Sequence, residues 1–405
     1  MKLLNNKRII LTSQFINNFG SAFSRIALII LVTTWYRSPI YIGIYSFFLF
    51  IPRIIFASPV GYLIDSRNNQ KTLLLVSSFF AAVAILIIAI MTFFKFHSFV
   101  LLIVLAVIYS VISGIYTPSI TKLTVYLFDK SEFNDINASI SSAMTAANLF
   151  SGIIVSYFVS FLPFTLLFLF DFASYIFVMI LLSFLDVPQS IERMESHIAN
   201  ETRSVSMWNS FKVVKDFLRD FHYIIPVYIS AILFNILLAP MNVYLTQVSY
   251  HIFNNTKFTG LLESFYSFGF LIGSLVYKFL CIKFPMNRLI QASLLLVPIT
   301  LTLFGSARTL PVALIGLIGL GIVIPFFNIS SKTIIQNKVP RFKLGAIFNS
   351  YFALMNLSQP VGLLGIPVLI TAFGITNVLL VSGVFYLIAA IMLVLLNQIS
   401  VELNE

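Results

Sequence analysis

Charge is scarce in this chain. Only 10% of its 405 residues are Asp, Glu, Lys or Arg, while 59% are hydrophobic. A water-soluble domain of this length needs a charged surface, so that class is excluded, and the bilayer is the solvent that tolerates such a composition. Cysteine is rarer still: the single Cys281 excludes an internal disulfide. The four histidines, His97, His197, His222 and His251, share no metal-ligand spacing. HExxH, GxSxG and Walker-type glycine loops are missing, which argues against metal, hydrolytic and ATP-driven chemistry within this chain. An enzyme is therefore not expected, and neither is a cofactor or a bound metal.

What is present in quantity is apolar: mean hydropathy is +0.99, and there are 43 phenylalanines. Runs of roughly 20 or more apolar residues predict twelve membrane spans, at 9–33, 39–64, 72–94, 98–121, 135–160 and 163–186, then 222–248, 258–281, 287–305, 309–331, 343–369 and 374–397. The first run follows Lys2, Lys7 and Arg8 and is too long for a signal-peptide core, so it reads as a span entered from the cytoplasm.

The formal charge of +11 invites a nucleic-acid reading, but the bases are sorted by side. With the N-terminus inside, 19 of the 25 Lys and Arg lie in inner loops. Four (Arg37, Lys95, Lys257 and Arg308) lie outside, and Arg25 and Arg53 fall within spans. This is the positive-inside pattern of a multi-pass cell-membrane protein with both termini cytoplasmic. No nucleic-acid partner is expected.

A polar segment, 187–221, divides the spans. Within it Val205, Trp208, Phe211, Val214, Leu218 and Phe221 recur at helical spacing among Lys212, Lys215 and Arg219, the pattern of an amphipathic helix on the cytoplasmic face. The predicted organisation is an N-terminal six-helix bundle at 1–186, a linker at 187–221 and a C-terminal six-helix bundle at 222–405. The two bundles echo each other. Gly61, Leu63 and Lys71 match Gly273, Leu275 and Lys283; "GIYTP" (114–118) matches "GIVIP" (321–325); Ala138 and Asn148-Leu149 match Ala346 and Asn356-Leu357. Ordered matches at a nearly constant offset indicate a parallel repeat, as in many secondary transporters.

These features resemble the major facilitator superfamily. Its loop after the second helix typically reads G-x-L-x-D-R-x-G-R-R/K, and "GYLIDSRNNQK" keeps Gly61, Leu63, Asp65, Arg67 (displaced by one) and Lys71. "SQFINNFGSAFSRIALIILV", "PRIIFASPVGYLID", "FNILLAPMNVYL", "GLLESFYSFGFLIGSL" and "IQNKVPRFKLGAIFNS" resemble helices 1, 2, 7, 8 and the entry to helix 11 of the macrolide and siderophore exporter-like branch. The resemblance implies an all-α fold of twelve transmembrane helices in two pseudo-symmetric six-helix bundles. It also implies proton-coupled efflux of a drug-like or amphiphilic small molecule by a monomer working as an antiporter, with multidrug or macrolide resistance as the phenotype. One departure is that "NLFSGIIVS" in the fifth span lacks the proline frequent in drug antiporters, whereas "QPVGLLG" in the eleventh keeps Pro360, Gly362 and Gly365. Uptake or facilitated flux of a small solute remains an alternative, as does a sensor or assembly factor that kept the fold and lost transport.

Candidate pathway residues follow from polarity within spans. Gln14, Asn18, Ser21 and Arg25 step by 4, 3 and 4 along one face of the first helix. An intramembrane Arg costs about 2.5–3.5 kcal/mol on insertion scales, so this face points either at an aqueous cavity or at a hydrogen-bonding helix seam. Helix 4 offers Tyr109, Ser113 and Tyr116, and helix 7 offers Asn235 and Asn242 around Pro240. Gly316, Gly319 and Gly321 in helix 10 suit close packing. Arg25 and Asp171 both lie roughly 12 Å below the outer surface, a depth match that predicts an ion pair with Asp171 as structural counter-ion. Glu263 is either the proton-coupling carboxylate or a wetted pore-mouth residue. Arg53, roughly 21 Å from the outside, either binds a substrate anion or caps helix ends. Gly61, Asp65, Arg67 and Lys71 form the candidate cytoplasmic gate motif: Gly61 would allow close helix approach, and Asp65 would meet the positive start of helix 11 near Lys343.

Overall fold

Proline and glycine punctuate a chain that is otherwise continuous apolar helix. The computed structural model describes residues 2–66, 69–128, 132–187, 225–338 and 344–402. The gate-motif Arg67, the 187–221 amphipathic segment beyond Val187, and Lys343 lie outside the described residues. The helices are α1 (Lys2–Tyr36), α2 (Pro39–Ile55), α3 (Ala57–Ser66), α4 (Gln70–Phe93), α5 (Phe99–Leu127), α6 (Phe133–Phe158) and α7 (Phe164–Ser183). After the linker come α8 (Ile225–Leu238), α9 (Met241–His251), α10 (Phe258–Lys283), α11 (Met286–Gly305), α12 (Leu310–Lys338), α13 (Leu344–Phe373) and α14 (Ile375–Glu402). Among the described residues ten helices are long and apolar enough to cross a membrane, counting α8 and α9 together as Tyr228–His251, and two shorter apolar helices, Pro39–Ile55 and Ile375–Ile388, stand where the second and twelfth spans are expected.

Two expected spans are interrupted. The second breaks at Phe56 between α2 and α3, because Pro59 has no N–H to give the Ile55 carbonyl. The seventh breaks at Ala239–Pro240 between α8 and α9, where Pro240 leaves the Ile236 carbonyl free in the same way. That carbonyl faces Gly362 of α13: a Cβ built on Gly362 would collide with the Ile236 oxygen and lie 2.9 Å from its carbonyl carbon. Glycine at 362 lets the opposing helix close on the broken turn.

The described helices fall into two compact units. One comprises α1, α2 from Ile44 onward, α3 to α7, and Thr259–Leu261 of α10. The other takes Ser38–Gly43, α8, α9, the rest of α10 and α11 to α14. Pairing within each follows one scheme. In the first unit α4 packs on α5 and α7, and α1 packs on α6 and α7. In the second, α11 packs on α12 and α14, and α8 packs on α13 and α14. These are equivalent pairs under the six-helix repeat read in the sequence. Large apolar side chains stay exposed on α4 (Phe79, Phe80), α7 (Phe177, Ile180) and α14 (Val384, Phe385), as expected for helices whose outer faces meet lipid.

One end of the first unit, where α3 and α7 finish, is tied by polar side chains acting on helix ends. Lys71 Nζ donates to the carbonyls of Ser183 (2.6 Å) and Leu185 (2.8 Å), capping the end of α7. Lys122 Nζ (3.2 Å) and Gln70 Nε2 (2.9 Å) donate to the Ile64 carbonyl near the end of α3. Asn6 exchanges two hydrogen bonds with the Asp186 backbone. Final-turn carbonyls lack intrahelical partners, and cations suit the negative end of the dipole.

Candidate functional site

The polar residues of α1 join groups on three other helices. Ser21 Oγ lies 3.1 Å from the Tyr175 hydroxyl of α7, which donates to the Tyr109 hydroxyl of α5 at 3.1 Å. Tyr45 of α2, buried, stands within electrostatic reach of Tyr109 and Arg25. Ser21 and Tyr109 are thus joined through Tyr175, and neither Tyr175 nor Tyr45 is among the residues singled out in the sequence. Tyr175 follows Asp171 by four positions and shares its helix face, which is the signal that would have found it.

Asp171 is 0% exposed. Its carboxylate accepts from the Ser24 hydroxyl of α1 and from Ser174 Oγ at 3.0 Å. A Cβ on Gly20 would collide with Asp171 Oδ1 and Ser174 Oγ, so glycine there is what lets the α7 carboxylate rest against the α1 backbone. A buried charge needs such partners, since desolvation otherwise drives it out.

Other expected residues are placed differently. Gln14 is 4% exposed, with Nε2 unpartnered among the described residues, while its Oε1 and backbone carbonyl accept from Asn18 Nδ2 at 3.2 and 2.7 Å. Ser113 turns back to the Ser110 carbonyl at 2.9 Å. Tyr116 sits in the apolar cluster of Ile9, Ile10, Ile120 and Leu123, away from the Ser21–Tyr175–Tyr109 chain. In the second unit Asn235 Oδ1 accepts from Gln359 Nε2 of α13 at 3.1 Å. Asn242 is partly buried at the start of α9. Glu263 is 8% exposed on α10 and engaged by neighbouring groups.

The second unit's interior is more aromatic. Phe234 stacks on Phe327 at 4.4 Å and 10°. Tyr351 donates to Ser331 at 3.1 Å, and Ser330 donates to Tyr277 at 3.2 Å. Of the charged residues singled out within spans, Arg25, Arg53 and Asp171 belong to the first unit and Glu263, near the start of α10, to the second.

Glycine use also differs between the repeats. A Cβ on Gly273 would lie 2.6 Å from Ile322 Cα, and one on Gly321 would lie 2.7 Å from Phe270 N, so α10 and α12 touch backbone to backbone. At the equivalent Gly61 and Gly114 no heavy atom of the described residues lies within 4 Å of such a Cβ. The close approach expected of Gly61 is made by its repeat partner instead. Gly316 and Gly319 do sit in close packing, against Phe304 N (2.8 Å) and Thr300 Cγ2 (2.9 Å).

Chain-wide likeness is to transporters. The sequence is 22% identical over 391 residues to macrolide efflux protein A of Streptococcus pyogenes, covering 95% of this chain and 94% of that one. Among solved structures, nucleoside transporter NupG superposes with a TM-score of 0.77 at 14% identity, over 97% of this chain and 98% of that one. A bacterial homologue of the iron transporter ferroportin superposes at 0.74 and 15%, over 97% and 99%. The D-xylose-proton symporter does so at 0.74 and 13%, over 97% of each. These structural matches carry the fold. A sequence model of the Major Facilitator Superfamily matches residues 10–256, and the chain belongs to that superfamily.

Proposed function

We propose that the protein exports an amphiphilic, drug-like small molecule by alternating access, coupled to inward proton movement. The observation that carries this reading is the relative, an efflux protein aligned along 95% of the chain. The buried polar network of α1, α2, α5 and α7 supports it, because intramembrane ionisable groups are costly and mark pathways by default. In this reading Gln14, Asn18, Ser21, Arg25 and Tyr109 of the first unit contact substrate, together with Asn235 and Asn242 of the second. Glu263 carries the proton, Asp171 is the structural counter-ion of Arg25, and Asp65 is a charged latch on the cytoplasmic side. The two six-helix bundles at 1–186 and 222–405 rock about the site as a monomer.

The test is extrusion of a radiolabelled macrolide, and of a fluorescent lipophilic dye, from proteoliposomes under an imposed pH gradient. The expected result is extrusion that collapses with the gradient, is lost in Glu263→Gln and Arg25→Ala, and is lost in Asp65→Asn while membrane insertion survives. Gradient-independent extrusion by a competent preparation overturns antiport. Full activity of Glu263→Gln or Asp65→Asn removes that residue from the mechanism.

A further inference from the structure

Between α3 and α5 of the first unit lies a cavity of about 230 Å³. Its walls are apolar, chiefly Phe56, Val60, Ile64 and Val111, with Gly61 and Gly114 opening onto it and Arg53 the one charged residue among its described lining. Three observations show why it is there. The two glycines are those whose repeat partners, Gly273 and Gly321, close α10 against α12, yet here neither is approached within 4 Å. The helix is interrupted at Phe56, between α2 and α3, where Pro59 withholds a hydrogen bond from Ile55. Finally, Lys122 Nζ holds the Ile64 carbonyl at 3.2 Å, tying the two helices at the inner end while they stay apart above it. The first unit has the small residues of a tight helix pair and leaves the space between them open.

The occupant follows from charge and depth. Arg53 is exposed to this space and makes no hydrogen bond or ion pair to another described residue. A guanidinium inside the membrane calls for an anion. Arg53 stands 13 residues before Ser66, the end of α3, or roughly 20 Å of helix from the cytoplasmic end. A cavity of 230 Å³ is below the roughly 300–1,000 Å³ of sites that enclose a drug-sized molecule. It suits one apolar chain rather than a ring system.

We infer that this cavity is a binding site for a single-chain amphiphilic anion of the fatty-carboxylate type, its head on Arg53 and its chain along Val60, Ile64 and Val111. The lining shares no residue with the Ser21–Tyr175–Tyr109 network, and binding there is measurable without any transport, so its failure and failure of the efflux reading are distinct results.

The experiment uses the full chain in nanodiscs of neutral phosphatidylcholine and a photoactivatable diazirine analogue of dodecanoate. Saturable labelling is expected on the peptides carrying 53–64 and 111–118. Unlabelled dodecanoate should displace it, and dodecanol at the same concentration should not. Arg53→Gln should weaken labelling by at least about tenfold, the size of a lost charge-assisted hydrogen bond. Gly114→Leu should remove labelling by filling the cavity, with thermal unfolding unchanged. Equal displacement by dodecanol, or full labelling of Arg53→Gln, overturns the site, as does labelling elsewhere. Displacement by phosphatidylglycerol as effective as by dodecanoate overturns the single-chain assignment in favour of a lipid headgroup. Should Gly114→Leu fail to fold, the Arg53→Gln and dodecanol arms still decide.

Discussion

At the scale of single residues, what governs this protein is how few buried charges it holds and how each is satisfied. Asp171 is bound by hydroxyls from its own helix and from α1, in space that Gly20 leaves free. These contacts form one unit, so their removal is expected to be non-additive. In a double-mutant cycle of Ser24→Ala and Asp171→Asn, read by thermal unfolding in detergent, a coupling of about 0.5–3 kcal/mol is expected. Additivity would mean that the serine contributes nothing to holding the carboxylate. The residues involved were partly legible in the sequence. Asp171 and Arg25 stand out because charge within an apolar run is conspicuous. Ser24, Ser174 and Tyr175 did not, since hydroxyls are common in membrane helices and only a three-dimensional neighbour gives one a role.

At the scale of helices, the two repeats share a pairing scheme and differ in how closely one pair is drawn together. The same substitution should therefore have opposite effects at equivalent positions. Gly273→Ala drives a methyl group into the Ile322 backbone and is expected to destabilise by about 1–3 kcal/mol, as overpacking does. Gly61→Ala meets open space and is expected to be neutral or stabilising by up to about 1 kcal/mol, the helix-propensity difference. Thermal unfolding of the two variants side by side checks this. Lys71 gives a second case. Read as the last base of a gate motif, it is found capping α7 through two carbonyls. Lys71→Met should lower stability by about 0.3–2 kcal/mol, the range for a cation at a helix C-terminus, and Lys71→Arg should retain most of it. Equal unfolding temperatures for wild type and Lys71→Met would show that the cap is idle.

At the scale of the whole molecule, topology follows from the distribution of bases, and the chain carries its own reporter. Cys281, the sole cysteine, lies near the end of α10 and is partly exposed. The positive-inside reading puts that end in the cytoplasm. A membrane-impermeant maleimide is expected to label Cys281 in inside-out vesicles and to spare it in intact cells, as read by a mass shift. The reverse pattern would invert the topology.

The all-helical, multi-pass character of the chain and its superfamily were legible in the sequence alone, because they depend on one-dimensional quantities: the length of apolar runs and the order of motif residues. The helix ends were not, since the first helix runs Lys2–Tyr36 and the second span is split into α2 and α3. The helical breaks at Phe56 and Pro240 were half visible, since proline marks a lost hydrogen bond but not whether a neighbour covers it. Tertiary structure alone decided that Gly362 covers the Ile236 carbonyl, that Tyr175 bridges Ser21 and Tyr109, that Tyr116 belongs to an apolar cluster, and that matched glycines close one helix pair while the other stays open. The physical reason is common to all four. A small or polar side chain in a membrane helix acquires its meaning from the atom opposite, and that atom lies on another helix, far away in the sequence.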